Sequence, residues 1–225
     1  MLSARRAVFM SRPMLARLHV LTDDRLADGG GAPHAEQAQW AASGGAGAVQ
    51  FRAKGGPDAD AFAALVATRE VLPPGVQLVV DDRIDWALAA GADGVHLGQT
   101  DLPVAHARRL ADAVRAGVLI GATVTTAEQA RRAEGEGADS LGFGPVFPTT
   151  SKDNPASVKG LDGLAEACAA VQVPVLAIAG ITPERVGPCL DAGAWGVAVM
   201  SAVTRAADPV AATRAFRDAI SRALR

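Results

Sequence analysis

Gly-Ala-Asp-Gly-Val-His-Leu (91–97) is the stretch on which the fold turns. It follows an Ala-rich segment, and a glycine there supplies the left-handed residue that ends a helix. Gly94–Leu97 then reads as a short strand. The same unit recurs as Gly137-Ala138 ahead of Ser140–Phe143 and as Gly193-Ala194 ahead of Gly196–Met200. A helix end followed at once by a strand, three times over, is βα alternation. Outward from these units, five further strand-like runs complete the rhythm: Leu18–Thr22, Ala48–Arg52, Gln77–Asp81, Leu119–Thr123 and Val175–Ala179. Most are apolar without clean polar alternation, as parallel strands covered on both faces read. Between them Ala107, Leu110, Ala111 and Val114 keep helical spacing, as do Phe216, Ile220 and Leu224.

Eight strands each followed by a helix predict an α/β chain folded as a single (β/α)₈ TIM barrel over residues 16–225. An open doubly wound sheet more often has five to seven strands. Residues 1–15 are expected to lie outside the barrel as a disordered or mis-started N-terminal tail. Arg5, Arg6 and Arg12 stand there with no acid before Asp23, no apolar core of a secretory signal follows, and Met10 and Met14 offer later starts.

With 49% apolar and 20% charged residues, the composition excludes a disordered chain. The net charge of −2 supplies no field to draw nucleic acid or an anionic bilayer. No apolar run approaches the roughly 18 residues of a membrane helix. Cys168 and Cys189 have neither metal-site nor redox spacing and could not staple a fold of this size, so a cytoplasmic location is expected. Homo-oligomerisation is left open.

In a barrel the chemistry sits where strands end. Collecting those ends gives Gln50, Arg52 and Lys54 after the second strand, Asp81 and Asp82 after the third, and Gln99 and Asp101 after the fourth. Thr123 closes the fifth, Thr149, Ser151 and Lys152 follow the sixth, Gly180 the seventh and Ser201 the eighth. Period-two alternation puts Gln50, Arg52 and Lys54 on one face, which suits an anion. Asp82 and Asp101, on neighbouring loops, can reach one ion, and magnesium is typically held by one or two carboxylates with substrate phosphates and water. Together with Lys152 the cations and carboxylates read as a metal-assisted diphosphate site. Ala-Ile-Ala-Gly-Ile-Thr (177–182) and Gly-Val-Ala-Val-Met-Ser-Ala (196–202) read as a second, backbone-built phosphate site.

Several motifs in order carry a resemblance: Val-Gln-Phe-Arg-Ala-Lys (49–54), Val-Val-Asp-Asp-Arg-Ile-Asp-Trp-Ala-Leu (79–88), residues 91–103, Gly-Phe-Gly-Pro-Val-Phe-Pro-Thr-Thr-Ser-Lys (142–152) and the two glycine segments. Over roughly residues 17–215 the chain resembles the thiamine phosphate synthases. The resemblance implies a (β/α)₈ barrel that joins 4-amino-2-methyl-5-hydroxymethylpyrimidine diphosphate to a thiazole phosphate, releasing diphosphate. It places the diphosphate against Gln50, Arg52, Lys54, Asp81, Thr123 and Lys152, and Mg2+ on Asp82 and Asp101. Of these, Arg52, Lys54, Thr123 and Lys152 would carry catalysis, while Thr149, Ser151, Gly180, Met200 and Ser201 would meet the thiazole phosphate. The chain departs from the family pattern at Asp81, usually Asn, at Thr123, usually Ser, and at Ala179, where a first glycine is common. Asp81 would repel the anion unless it were protonated, turned toward the metal or paired with Arg83.

Two alternatives remain in the sequence. A thiazole tautomerase shares the barrel, but that group typically lacks Gln-x-Asp after His-Leu and uses a histidine near the fifth strand, where Gly-Ala-Thr-Val-Thr-Thr (121–126) has none. A non-catalytic barrel that binds thiamine precursors is the other. His19 and His96 read as internal histidines, Trp86 and Trp195 as packing residues, Cys168 and Cys189 as small core residues, and Gly29-Gly30-Gly31 as a flexible connection.

Overall fold

The computed structural model describes residues 15–28, 31–149 and 157–225. Eight parallel strands close on themselves in sequence order, with β1 (Leu18–Leu21) pairing both β2 (Ala48–Phe51) and β8 (Gly196–Val199). Between these lie β3 (Gln77–Asp81), β4 (Gly94–Leu97), β5 (Leu119–Val124), β6 (Ser140–Phe143) and β7 (Val175–Ile178). The expected (β/α)₈ barrel is therefore the fold, and every expected strand is present to within a residue at its ends.

The helices are α1 (Asp24–Asp28), α2 (His34–Gly44), α3 (Asp58–Val71), α4 (Ile84–Ala89), α5 (Val104–Val114), α6 (Ala127–Gly135), α7 (Gly160–Ala169), α8 (Pro183–Asp191), α9 (Ser201–Thr204) and α10 (Pro209–Ala223). Their ends follow local chemistry. Thr126 accepts from the Gln129 amide at 3.2 Å to open α6, and Asp208 caps α10 by accepting from Ala211 N at 2.9 Å, with Pro209 at its first position. Gly91, Gly137 and Gly193 are left-handed as the Gly-Ala pairs require, and Gly45-Ala46 is a fourth such pair.

Alternation along each strand divides the barrel in two. Val20, Val49, Phe51, Leu78, Val80, Val95, Ile120, Leu141, Phe143 and Val197 face the helices and form the main apolar core. Each fully buried Leu or Phe there contributes about 2–3 kcal/mol relative to exposure. The opposite set includes buried polar groups, with His19, Gln50, Gln77 and Ser140 among them. On α5, Ala107 and Ala111 pack inward while Leu110 and Val114 face solvent, so only half of the predicted apolar stripe is core. On α10 the same holds for Leu224, which is exposed beyond buried Phe216 and Ile220.

At the N-terminal face, Leu15, the last residue of the segment expected outside the fold, accepts from Trp195 Nε1 at 3.0 Å. Residues 1–14 lie outside the described residues. Trp195 carries the Arg17 guanidinium 3.6 Å from its ring centroid, and Trp86 packs edge-on to Phe62, so both tryptophans are structural. Among the described residues no helix is long and apolar enough to cross a membrane.

Candidate active site

The C-terminal ends of β1 to β5 bring together Gln50, Arg52, Lys54, Asp82, Asp101 and Thr123. Gln50 is 3% exposed inside the barrel, where its Nε2 donates to His19 Nδ1 at 3.0 Å. His19 Nε2 in turn contacts the Ala16 carbonyl at 3.1 Å. A carbonyl can only accept, so the proton sits on Nε2 and Nδ1 is the acceptor. Burial, with His96 nearby, lowers the His19 pKa to about 3, and the ring is neutral. Both histidines are thus internal and hydrogen-bonded: His96 Nε2 lies 2.9 Å from Thr123 Oγ1. Space for the His96 ring comes from Gly121 and Gly142, where a Cβ would stand 2.5 and 2.9 Å from ring atoms.

Arg52 and Lys54 follow the end of β2, and each meets a carboxylate. Arg52 Nη1 donates to Asp24 Oδ1 at 2.9 Å, and both side chains are largely buried. Lys54 Nζ donates to Asp82 Oδ2, while the Lys54 backbone amide donates to Asp24 Oδ2 at 2.8 Å. Thr22 Oγ1 accepts from Arg52 N at 3.0 Å and contacts His34 Nδ1 at 2.7 Å. Asp23 is buried between Gln37 and Arg205. The sequence reading missed this β1 end: Thr22-Asp23-Asp24 follows the first strand, where the rule that found the other strand ends applies equally.

Asp82 leaves β3 with φ +67°, a left-handed conformation that aspartate tolerates better than most residues, and its amide donates to His96 O at 2.8 Å. Its carboxyl is pushed up by burial, pulled down by Lys54 and pushed up again by Asp101, with a net rise. Two facing carboxylates, one of them desolvated, form a donor set that a divalent cation would relieve. Among the described residues no three His, Cys, Asp or Glu side chains converge. The donors therefore fit an ion such as Mg2+ that takes its remaining ligands from substrate and water. Asp101 Oδ2 accepts from Gly98 N at 2.6 Å, which fixes it on its loop. Gln99 donates to Thr123 O and accepts from Arg132 at 3.2 Å, joining the β4 and β5 ends.

Asp81, half-buried at the end of β3, lies in register with His96. Arg83 is engaged elsewhere, by Asp85 at 2.7 Å, by Asp58 at 2.9 Å and over the Trp86 ring.

On the other side of the mouth, β6 and β7 continue past their strands. Val146 N donates to Ile178 O at 3.1 Å and Phe147 N to Ala179 O at 3.2 Å. Ala179 and Gly180 are both left-handed, at φ +78° and +66°. A Cβ on Gly180 would stand 2.4 Å from Pro148 O, so only glycine lets the two loops meet. Arg185 reinforces this seam, donating to Gly180 O at 2.6 Å with its guanidinium 4.5 Å from the Phe147 centroid. Thr149 is half-buried beyond the seam, and Met200 and Ser201 form the turn from β8 into α9. Ser151 and Lys152 lie outside the described residues, as do Gly29 and Gly30. A cavity of about 630 Å³ opens at the opposite face beside Arg17, Asp93 and Trp195, away from these strand ends.

A closed parallel barrel with cations and a carboxylate pair at its C-terminal mouth defines a (β/α)₈ enzyme suited to phosphorylated substrates. The family model for thiamine monophosphate synthase matches residues 18–203, and the chain belongs to that family. It is 49% identical over 212 residues to the thiamine-phosphate synthase of Salinibacter ruber, spanning 94% of this chain and 91% of that one. It is 47% identical to that of Methanoculleus marisnigri, over 92% and 96% of the two chains. The thiamine phosphate pyrophosphorylase structure from Pyrococcus furiosus superposes with a TM-score of 0.82 at 38% identity, covering 93% of this chain and 97% of that one. A 3-hexulose-6-phosphate synthase, at 22% identity and a TM-score of 0.67, shares the fold alone. These likenesses do not favour the tautomerase or the non-catalytic alternative.

Proposed function

We propose that the chain catalyses thiamine phosphate synthesis from 4-amino-2-methyl-5-hydroxymethylpyrimidine diphosphate and a thiazole phosphate. The observation that carries this reading is the convergence of Arg52, Lys54, Asp82 and Asp101 at one barrel mouth, in a member of the thiamine monophosphate synthase family. The bond between the pyrimidine methylene carbon and the diphosphate oxygen breaks, and diphosphate leaves with the electron pair. The electron-rich aminopyrimidine stabilises the resulting cation, and the thiazole nitrogen closes the new carbon–nitrogen bond.

The side chains serve the leaving group. Arg52 and Lys54, with Lys152 from the sixth loop, hold outer oxygens of the diphosphate as negative charge develops on it. Gln50, fixed by neutral His19, and Thr123, beside His96, orient the substrate, and Asp81 lines the same wall. Asp82 and Asp101 would hold Mg2+, which when bound neutralises the diphosphate and eases its departure. Lys54, which donates to Asp82 in the free protein, stands beside the same carboxylate and can turn to the diphosphate. Thr149, Ser151, Gly180, Met200 and Ser201 receive the thiazole phosphate across the β6–β8 ends. We assign the reaction to the cytoplasm, in keeping with free Cys168 and Cys189.

Substituting Arg52 or Lys152 by glutamine should lower kcat by roughly ten- to a thousandfold. Asp82→Ala should abolish turnover at low magnesium while thiazole phosphate binding survives. Unchanged kcat in the cation variants, or equal loss of both functions in Asp82→Ala, would contradict the assignment.

A further inference from the structure

Asp24 takes no part in the site as drawn from the sequence, yet one carboxylate there holds the Arg52 guanidinium and the Lys54 backbone amide. Its Oδ1 accepts from Arg52 Nη1 at 2.9 Å and from Arg25 N at 3.1 Å, and its Oδ2 accepts from Lys54 N at 2.8 Å. Asp24 is 8% exposed, and the Arg52 side chain is 12% exposed. An arginine buried to that degree needs a carboxylate partner in the free protein, because an unpaired guanidinium out of water is strongly disfavoured. A guanidinium has five N–H donors, and Asp24 engages Nη1 alone among the described residues. The planar fork is therefore held by one corner with donors left for another anion.

The second contact is separate in origin. By accepting from the Lys54 amide, Asp24 fixes the backbone from which the Lys54 side chain starts toward Asp82. It is itself held from below by the buried end of β1, where Thr22 accepts from Arg52 N and Asp23 is locked by Gln37. The Arg52 guanidinium and the backbone that carries Lys54 are thus both held by the first residue of α1.

Resting on the diphosphate-site reading above, we propose that Asp24 is a positioning residue that aims Arg52 and Lys54 at the leaving diphosphate. It binds no substrate, and it carries a negative charge close to an anion site. A steric or electrostatic role can therefore be told apart from positioning. Asp24→Asn preserves size and a hydrogen-bonding group while removing a charge that opposes the anion. If Asp24 only sat beside the site, its neutralisation would leave turnover intact or tighten diphosphate binding. If it aims the cations at charge that develops on bond breaking, kcat falls although the anion is held no less well.

The test is a double-mutant cycle of Asp24→Asn and Arg52→Gln, with steady-state kinetics and thermal unfolding for each protein. Asp24→Asn is expected to lower kcat about ten- to a hundredfold, with the KM for the pyrimidine diphosphate unchanged or lower and that for the thiazole phosphate unchanged. In the Arg52→Gln background it should cost less than threefold further. Asp24→Glu should restore part of kcat, and if Asp24→Asn does not fold, Asp24→Ser, which also removes the charge, carries the same test. Full kcat in Asp24→Asn with reduced kcat in Arg52→Gln would overturn the role of Asp24 alone. Full multiplication of the two losses would also overturn it. Full kcat in Arg52→Gln would overturn the site reading and this proposal with it.

Discussion

Protonation of His19 should set the acid limb of this protein's stability. The ring is buried, and its pKa falls from 6.5 to about 3 in the folded chain. Its folded value is depressed, so the folded state carries neutral imidazole while the unfolded chain binds a proton below pH 6.5. The resulting penalty is absent above pH 7, grows as pH falls and is complete near pH 3. Between pH 7 and pH 5 the unfolded chain goes from about one-quarter to nearly fully protonated at this site, which integrates to about 2 kcal/mol of lost stability.

The perturbation is His19→Gln. It shifts stability by a constant through altered packing but removes the titration, so the slope against pH isolates the effect. Urea unfolding of both proteins at pH 7, 6 and 5 should show the wild type losing about 2 kcal/mol more than the variant over that range. Carboxylates are common to the two proteins and cancel in the difference. Equal pH slopes in the two proteins would refute the reasoning. So would a larger slope in the variant. The same depressed pKa keeps His19 Nδ1 an acceptor, so the Gln50 amide should hold its orientation throughout the working range of the enzyme.

The strands were legible because a parallel barrel strand has few ways to look. Gly94–Leu97 and Ser140–Phe143 are short, apolar and preceded by a helix-ending glycine, and both appear with the expected bounds. Gly45-Ala46 escaped notice because Gly44 and Gly47 flank it and blur the punctuation. The division between the helix-facing core and the polar barrel interior was less visible. His19, Gln50 and Ser140 sit singly in four-residue strands, too short for alternation to register. Leu110 and Val114 misled because helical spacing counts apolar residues without knowing how wide a stripe the barrel can cover. At the site, the cations and Asp82 could be read from their strand ends. Their partners could not, since Arg52–Asp24 and Lys54–Asp82 are each separated by 28 residues and depend on the closure of the sheet.

Gly180→Ala forces a Cβ at φ +66° to within 2.4 Å of Pro148 O and should cost at least about 2 kcal/mol while raising the KM for thiazole phosphate more than that for the diphosphate; equal KM values would contradict the seam. Gly142→Ala places a Cβ 2.9 Å from the His96 ring and should lower kcat by displacing the partner of Thr123, which a wild-type kcat would rule out. Arg108→Ala removes the cation from Asp139, 6% exposed and also accepting from Ile120 N at 2.8 Å, and should cost about 3 kcal/mol in chemical unfolding. Burial pushes both Cys168 and Cys189 up to about 11, so neither thiol should react appreciably with an aromatic disulfide at pH 8 until the protein unfolds.

The most direct measurement is a single incubation of the purified protein with pyrimidine diphosphate and thiazole phosphate, in magnesium or in EDTA, following thiamine phosphate and diphosphate together. Equal amounts of both products, formed with magnesium and suppressed by EDTA, are the predicted result. A folded protein that binds thiazole phosphate but forms neither product would contradict the account.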